Sequence, residues 1–194
     1  AFRERFPGIY EMCISFGINP ATTPIPVHPS AHYMVGGIAT DLDGRTSIDN
    51  LYAIGDVSNT GLHGANRLAS NSLIEALVFG KRAGEHAGQL IADESEDLIP
   101  PRLSIDVESS SRTELDTSDI RSSLRSLMWR NVGIMRNGPH LQEADEIIGF
   151  WSRYVLDKTF DSIPGWELQN MLEVATLITR SAALRTESRG THYR

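Results

Sequence analysis

The sequence predicts an α/β segment followed by an all-α three-helix bundle. Leu51-Tyr52-Ala53-Ile54 is a short apolar run closed by Gly55-Asp56, the form of a buried parallel strand with an acid at its carboxyl end. Downstream, Gly61 to Glu75 joins a glycine-bracketed loop to the start of a helix. Between residue 117 and about 187, three stretches repeat apolar residues at i, i+3, i+4 spacing, the pattern of helices that bury one face.

The first element, within residues 1–31, is a short helix around Phe6-Pro7-Gly8-Ile9-Tyr10-Glu11-Met12-Cys13-Ile14. Pro20, Pro24, Pro26 and Pro29 then force an extended path, because proline fixes φ and restricts the residue before it. Residues 32 to about 90 form the α/β segment. Ile38-Ala39-Thr40 and Arg45-Thr46-Ser47 flank Asp41-Leu42-Asp43-Gly44, and the Asp-Gly pair predicts a hairpin between those flanks. Leu51 to Ile54 is the next strand. Ser72 to about Leu90 is a long helix, predicted to turn Leu73, Ala76, Leu77, Gly80, Ala83 and Ala87 to one face.

Residues 91–116 read as a linker, with the acidic run Asp93 to Asp97, Pro100-Pro101 and Ser109-Ser110-Ser111. Such runs are solvated loops. The three helices of residues 117–194 follow. The first carries Leu124, Leu127, Met128 and Ile134; the second Leu141, Ala144, Ile147, Ile148, Trp151, Tyr154 and Val155; the third Leu168, Met171, Leu172, Ala175, Ile178 and Ala182. Gly138-Pro139 and Pro164-Gly165 punctuate them, and short connections make antiparallel neighbours. The tryptophans at 129, 151 and 166 are read as packing residues.

Composition narrows the function. The chain has 194 residues, a formal charge of −7 and 40% hydrophobic content, enough for one core domain and a small companion. Acids and bases are interspersed, which argues against a nucleic-acid partner. No apolar run approaches the ~20 residues of a membrane span. Cys13 is the single cysteine, so no intrachain disulfide forms. A reducing, cytoplasmic setting is expected, with Cys13 buried as a small apolar residue.

The loop from Gly61 to Glu75 holds the densest chemistry. A helix N-terminus offers unpaired N–H groups and a partial positive charge, a seat for an anion or an electron-rich ring edge. Ser72 and Glu75 have the S-x-x-E spacing of a capping box, which starts the helix near Ser72. Arg67 lies just outside that start, where its planar fork can take a carboxylate bidentately. Gly61 and Gly64 permit close backbone approach to a planar ligand.

In order, the chain reads His32-Tyr33-Met34-Val35-Gly36-Gly37, then Leu51-Tyr52-Ala53-Ile54-Gly55-Asp56, then Thr60-Gly61-Leu62-His63-Gly64-Ala65-Asn66-Arg67-Leu68-Ala69-Ser70-Asn71-Ser72-Leu73. These three motifs resemble the flavoprotein superfamily of succinate dehydrogenase, fumarate reductase and L-aspartate oxidase. Ala69-Ser70, Leu127 to Ile134 and Glu187 to Arg194 are similar to the L-aspartate oxidase branch. The resemblance implies that the α/β segment is a remnant of an FAD-binding Rossmann-like domain. Residues 1–31 would be the tail of the substrate-capping domain, and residues 117–194 the C-terminal bundle.

For the site, the resemblance implies that Arg67 and His32 bind substrate carboxylates. Asp56 would meet a flavin ribityl or ribose hydroxyl, directly or through a water, since the family more often has the longer Glu there. Asn71, Ser72 and Leu73 would face the flavin pyrimidine edge. Gly37 belongs to the same flavin-side set. His63 would either touch the flavin loop or orient it. No metal is implied. Arg180, Arg185, Arg189 and Arg194 would dock the bundle on the flavin domain.

The implied activity is FAD-dependent oxidation of L-aspartate to iminoaspartate, feeding quinolinate and NAD synthesis. Fumarate would be an alternative acceptor and quinolinate synthase a partner. A G-x-G-x-x-G pyrophosphate loop does not occur in these residues, so the resemblance implies that most of the FAD-binding and capping domains lie upstream. The chain alone would then bind FAD weakly or not at all and show no turnover. Two alternatives stand beside this: a piece of a fumarate reductase or succinate dehydrogenase flavoprotein, and a non-catalytic helical interaction fragment.

Overall fold

The structure, a computed structural model, describes residues 1–93 and 115–194. Pro100-Pro101, Ser109 to Ser111 and most of the acidic run lie outside the described residues. The chain divides into two compact units, 1–32 and 33–194.

The first unit contains α1 (Phe2–Arg5) and α2 (Pro7–Ser15). Pro7 opens α2 at a position where its missing N–H costs nothing. Gly17, at φ +74°, closes it. The Gly17 N–H donates to the Ile14 carbonyl and the Ile18 N–H to the Cys13 carbonyl, each at 2.9 Å, the paired bonds of a Schellman stop. Cys13 is buried, as expected. From residue 18 to His32 the path has no helix or strand, in keeping with its prolines.

In the second unit, β1 (Ile38–Ala39) pairs in parallel with β2 (Ser58–Asn59), Ile38 opposite Ser58 and Ala39 opposite Asn59. This departs from the sequence expectation in two ways. The Asp41–Gly44 turn does form, but the flanks on its two sides do not ladder as a hairpin. The Asp41 carboxylate instead accepts from the Asp43 and Arg45 N–H groups and from Arg45 Nε, closing the turn on itself. The second departure is the run 51–54, which folds back on 44–46. Thr46 N–H donates to Leu51 O and Ala53 N–H to Gly44 O, both at 3.0 Å, across a loop that turns at Asn50 with φ 62°. The parallel strand comes after Gly55, in β2, reached through a single 3-10 turn at Gly55–Val57. Gly55 sits at φ +74°, a bend that ends any strand through 51–54.

Helix α3 (Ser72–Asp93) starts at the predicted residue and runs three residues past the predicted end. Its buried side is Glu75, Phe79 and Ala83, with Ala76 and Gly80 facing Gly55 and Ile54. Leu73 and Leu77, expected on the packed face, are 79% and 74% exposed. The small residues set the contact: they let α3 approach Gly44, Ile54 and Gly55 closely, and this turns the leucines about a quarter turn away at ~100° per residue.

The bundle is α4 (Thr117–Asn131), α5 (Gly138–Val155) and α6 (Ile163–Leu184). Asp116 caps α4 by accepting from the Ser118 and Asp119 N–H groups, and Asn137 caps α5 through the His140 N–H. Leu124, Leu127, Leu141, Ala144, Ile148, Val155, Leu168, Leu172, Ala175 and Ala182 form one buried core, following the predicted spacing. Ile134 and Tyr154 are exposed instead; α4 ends at Asn131, so Ile134 lies beyond the helix that would have turned it inward. Trp151 packs on the core, whereas Trp129 and Trp166 are about half exposed.

Candidate functional site

The site is built where β2, the Thr60–Ser70 loop and the first turn of α3 meet. Side chains on a helix lean toward its N-terminus. Glu75, in the first turn of α3, therefore reaches back under the loop instead of closing a capping box. One carboxylate oxygen accepts from the Thr60 hydroxyl. The other accepts from His63 Nε2 at 2.8 Å. The Leu68 N–H donates to His63 Nδ1 at 3.3 Å, so the ring is placed as the Nε2–H tautomer with both nitrogens occupied. Glu75 is 3% exposed. A buried carboxylate requires such partners, and the helix dipole favours its charge there.

This network pins the loop that presents Arg67. Arg67 Nη1 donates to Ser72 Oγ at 2.9 Å, and its guanidinium stacks over the Tyr33 ring at 5.1 Å. Tyr33 in turn meets His63 edge-on, 5.4 Å between ring centroids. Burial pushes the Tyr33 phenol above its ordinary value; Glu75 and Asp56 push the same way, and Arg67 opposes them. Tyr33, Ser58, Asn59, Thr60, His63 and Glu75 line a small cleft here.

The loop backbone suits close approach. Gly61 and Gly64 have φ of +84° and +55° with open space where a Cβ would stand. Ser70, immediately before the helix, takes φ 64°, a conformation non-glycine residues seldom adopt. Gly37, at φ +128°, lies so near the Val57 carbonyl that a Cβ would collide with it. The Asn71 amide donates to the Ala69 carbonyl at 2.9 Å, and the first helical bond of α3 runs from the Glu75 N–H to Asn71 O. The N–H groups of Ser72, Leu73 and Ile74 precede that bond and stay unpaired, as at any helix start.

Asp56 is exposed in the 3-10 turn. His32 closes the first unit, with its side chain exposed. The second unit brings together Arg67, His63, Asn71, Ser72 and Leu73. It adds Tyr33, Thr60 and Glu75, which sequence reasoning did not assign to the site. The signal for two of these was present: Thr60 opens the T-G-L-H-G motif and Tyr33 follows His32. Glu75 stands at capping spacing, but its partners are Thr60 and His63. The basic residues of the C-terminus act within the bundle. Arg194 Nη1 donates to the Ala183 and Arg185 carbonyls at 2.8 and 2.9 Å, Arg180 pairs with Asp145, and Arg185 and Arg189 pair with Glu187.

A parallel strand pair thus feeds a glycine-bracketed loop and a helix N-terminus with unpaired N–H groups, and a helical bundle follows. The FAD binding domain family matches residues 1–73, and the fumarate reductase flavoprotein C-term family matches residues 121–194. The L-aspartate oxidase of Pseudomonas aeruginosa is 40% identical over 98% of this chain and 36% of its own length. That of Nostoc is 38% identical over 99% and 37%, and that of Rhodospirillum rubrum 41% identical over 100% and 66%. Among solved structures, Mycobacterium smegmatis Sdh1 in complex with UQ1 superposes with a TM-score of 0.81 at 30% identity, over 100% of this chain and 35% of that one. The FrdA chain of Escherichia coli quinol fumarate reductase gives 0.77 at 31%, over 98% and 36%. The chain belongs to the succinate dehydrogenase and fumarate reductase flavoprotein family, as a homologue of the L-aspartate oxidases. It spans little more than a third of the length of the first two relatives. Among the described residues no helix is long and apolar enough to cross a membrane.

Proposed function

We propose that this chain is the substrate-loop and C-terminal part of an FAD-dependent L-aspartate oxidase that forms iminoaspartate. The observation that carries the reading is Arg67. Its guanidinium is held at the N-terminus of α3 by Ser72 and Tyr33, with the rest of its fork free for a carboxylate. Identity of about 40% to L-aspartate oxidases supports aspartate as the dicarboxylate.

The residues fit a flavin ring edge. The unpaired N–H groups of Ser72, Leu73 and Ile74, with the positive end of the helix dipole, match carbonyl and ring-nitrogen acceptors. Gly61 and Gly64 leave the loop backbone bare beside them. A pyrophosphate seat is not found in these residues, so FAD would be held chiefly by sequence outside them, and the isolated chain would show no turnover. When bound, FAD supplies the acceptor for the substrate's hydride equivalent. In this chain, Arg67 would bind and orient one substrate carboxylate, with His32 contributing a second donor. Fixing both ends of a dicarboxylate aligns its Cα hydrogen for transfer. The helix N-terminus would stabilise negative charge on the reduced ring edge, and Asp56 would accept from a ribityl or ribose hydroxyl. Gly37 would keep the β1 backbone close to the Asp56 turn. Because both nitrogens of His63 are occupied within the chain, its role would be to orient the loop.

In this reading residues 1–31 belong to the capping domain, 32–90 to the FAD-binding domain, and 117–194 to the bundle. The test is anaerobic flavin bleaching in the complete flavoprotein, with L-aspartate and succinate side by side. Bleaching by aspartate alone supports the oxidase. Bleaching by succinate alone moves the protein to the dehydrogenase branch.

A further inference from the structure

The bundle and the substrate loop meet at a point that the arginines do not make. The Thr191 N–H donates to the Ala65 carbonyl at 3.0 Å. Ala65 stands two residues before Arg67 and two after His63. Next to Thr191, Gly190 adopts φ +58°, and a Cβ there would collide with the carbonyl and side chain of Ala65. Both a left-handed backbone and the absence of a side chain are therefore required at this contact.

The segment is anchored from behind. His192 is 8% exposed. Its Nδ1 accepts from Arg136 Nη1 at 2.9 Å, and its Nε2 donates to the Arg185 carbonyl at 3.0 Å. The Arg136 Nε donates to the Val132 and Gly133 carbonyls, beyond the end of α4. The Arg136 N–H donates to Tyr193 O at 3.0 Å, and the Arg189 and His192 backbones bond each other both ways. A tight turn is thus fixed to α4 and α6 on one side and bonded to the substrate loop on the other.

We propose that the Arg189–Tyr193 turn is a clamp by which the helical bundle positions the loop bearing Arg67, with Gly190, His192 and Arg136 as positioning residues. The dicarboxylate part of this rests on the function proposed above. Glu75 holds His63, which holds the loop at the Leu68 N–H, and the clamp holds it at Ala65, so Arg67 lies between two fixed points of the backbone. Misplacing a binding group by about 1 Å is enough to weaken alignment severely.

The test uses the complete flavoprotein, with malonate as an unreactive dicarboxylate probe read from the flavin spectrum. Gly190→Ala should raise the malonate Kd about tenfold and speed amide exchange in residues 61–68. Exchange in α5 and flavin content should stay near those of the unaltered protein. Thr191→Ala keeps the N–H and should change none of these. Unchanged loop exchange or an unchanged malonate Kd in folded Gly190→Ala overturns the proposal. If that variant does not fold, Arg136→Gln, which unseats His192, takes its place under the same criteria. If the unaltered protein itself ignores malonate, the dicarboxylate reading fails, and the exchange comparison alone decides the clamp.

Discussion

Glu75 and His63 are joined by a 2.8 Å hydrogen bond with both side chains buried, the carboxylate reaching back from the first turn of α3 and the imidazole standing in the loop ahead of it. The bond ties the start of the longest helix in the α/β segment to the loop that carries Arg67. With Thr60 on the other oxygen, it fills the space beneath that loop with a closed polar network.

Glu75→Ala should leave the His63 Nε2–H and the Thr60 hydroxyl without their acceptor. Buried polar groups stripped of a partner cost about 1–3 kcal/mol. Urea unfolding should show that loss, and Glu75→Gln, which keeps an acceptor and the side-chain length, should recover part of it. Equal stability of Glu75→Ala and the unaltered chain would refute the network's role.

Arg67→Lys retains the charge but not the fork. Lysine cannot make the bidentate contact or the flat stack on Tyr33. In the complete flavoprotein, kcat/KM for the amino acid should fall by about a hundredfold, some 2.7 kcal/mol of transition-state stabilisation. Flavin content should not change. Steady-state kinetics with absorbance of the bound flavin checks both, and unaltered kcat/KM would remove Arg67 from the site.

The Tyr33 phenol is held above its ordinary value of 10.0 by burial, then by Glu75 and Asp56. The folded chain therefore keeps the proton more tightly than the unfolded one. The stabilising contribution is complete below pH 10 and is lost as pH rises through the folded value. A spectrophotometric titration, with Tyr33→Phe subtracted, should show Tyr33 ionising later than a free tyrosine. Ionisation at or below pH 10 would contradict the assignment.

Leu168 is fully buried among α4, α5 and α6. Leu168→Ala should destabilise the bundle by about 2–5 kcal/mol through lost transfer energy and the cavity left behind. Helical circular dichroism against urea reads this directly. A change below about 0.5 kcal/mol would mean that the site collapses freely or that the core lies elsewhere.

The sequence alone determined those features that depend on local chemistry and short periodicity. The three bundle helices were legible because i, i+3, i+4 spacing and Gly-Pro punctuation act within a few residues. The start of α3 falls at the predicted Ser72, although the capping box that marked it does not form. The neighbourhood of Arg67 was legible because one continuous stretch carries His63, Arg67, Leu68 and Ser72 together.

Tertiary structure decided the rest. Ser72 and Glu75 have the spacing of a capping box, yet Glu75 turns to Thr60 and His63, because a buried loop hydroxyl and imidazole offer a carboxylate more than its own helix start does. Leu51 to Ile54 reads as a parallel strand, yet it folds onto residues 44–46, and the parallel pair forms at Ser58–Asn59. The leucines of α3 turn outward because the small residues beside them allow closer backbone contact. The Thr191–Ala65 bond links residues more than a hundred positions apart; no periodicity encodes it, since the partner is chosen by how the whole unit packs.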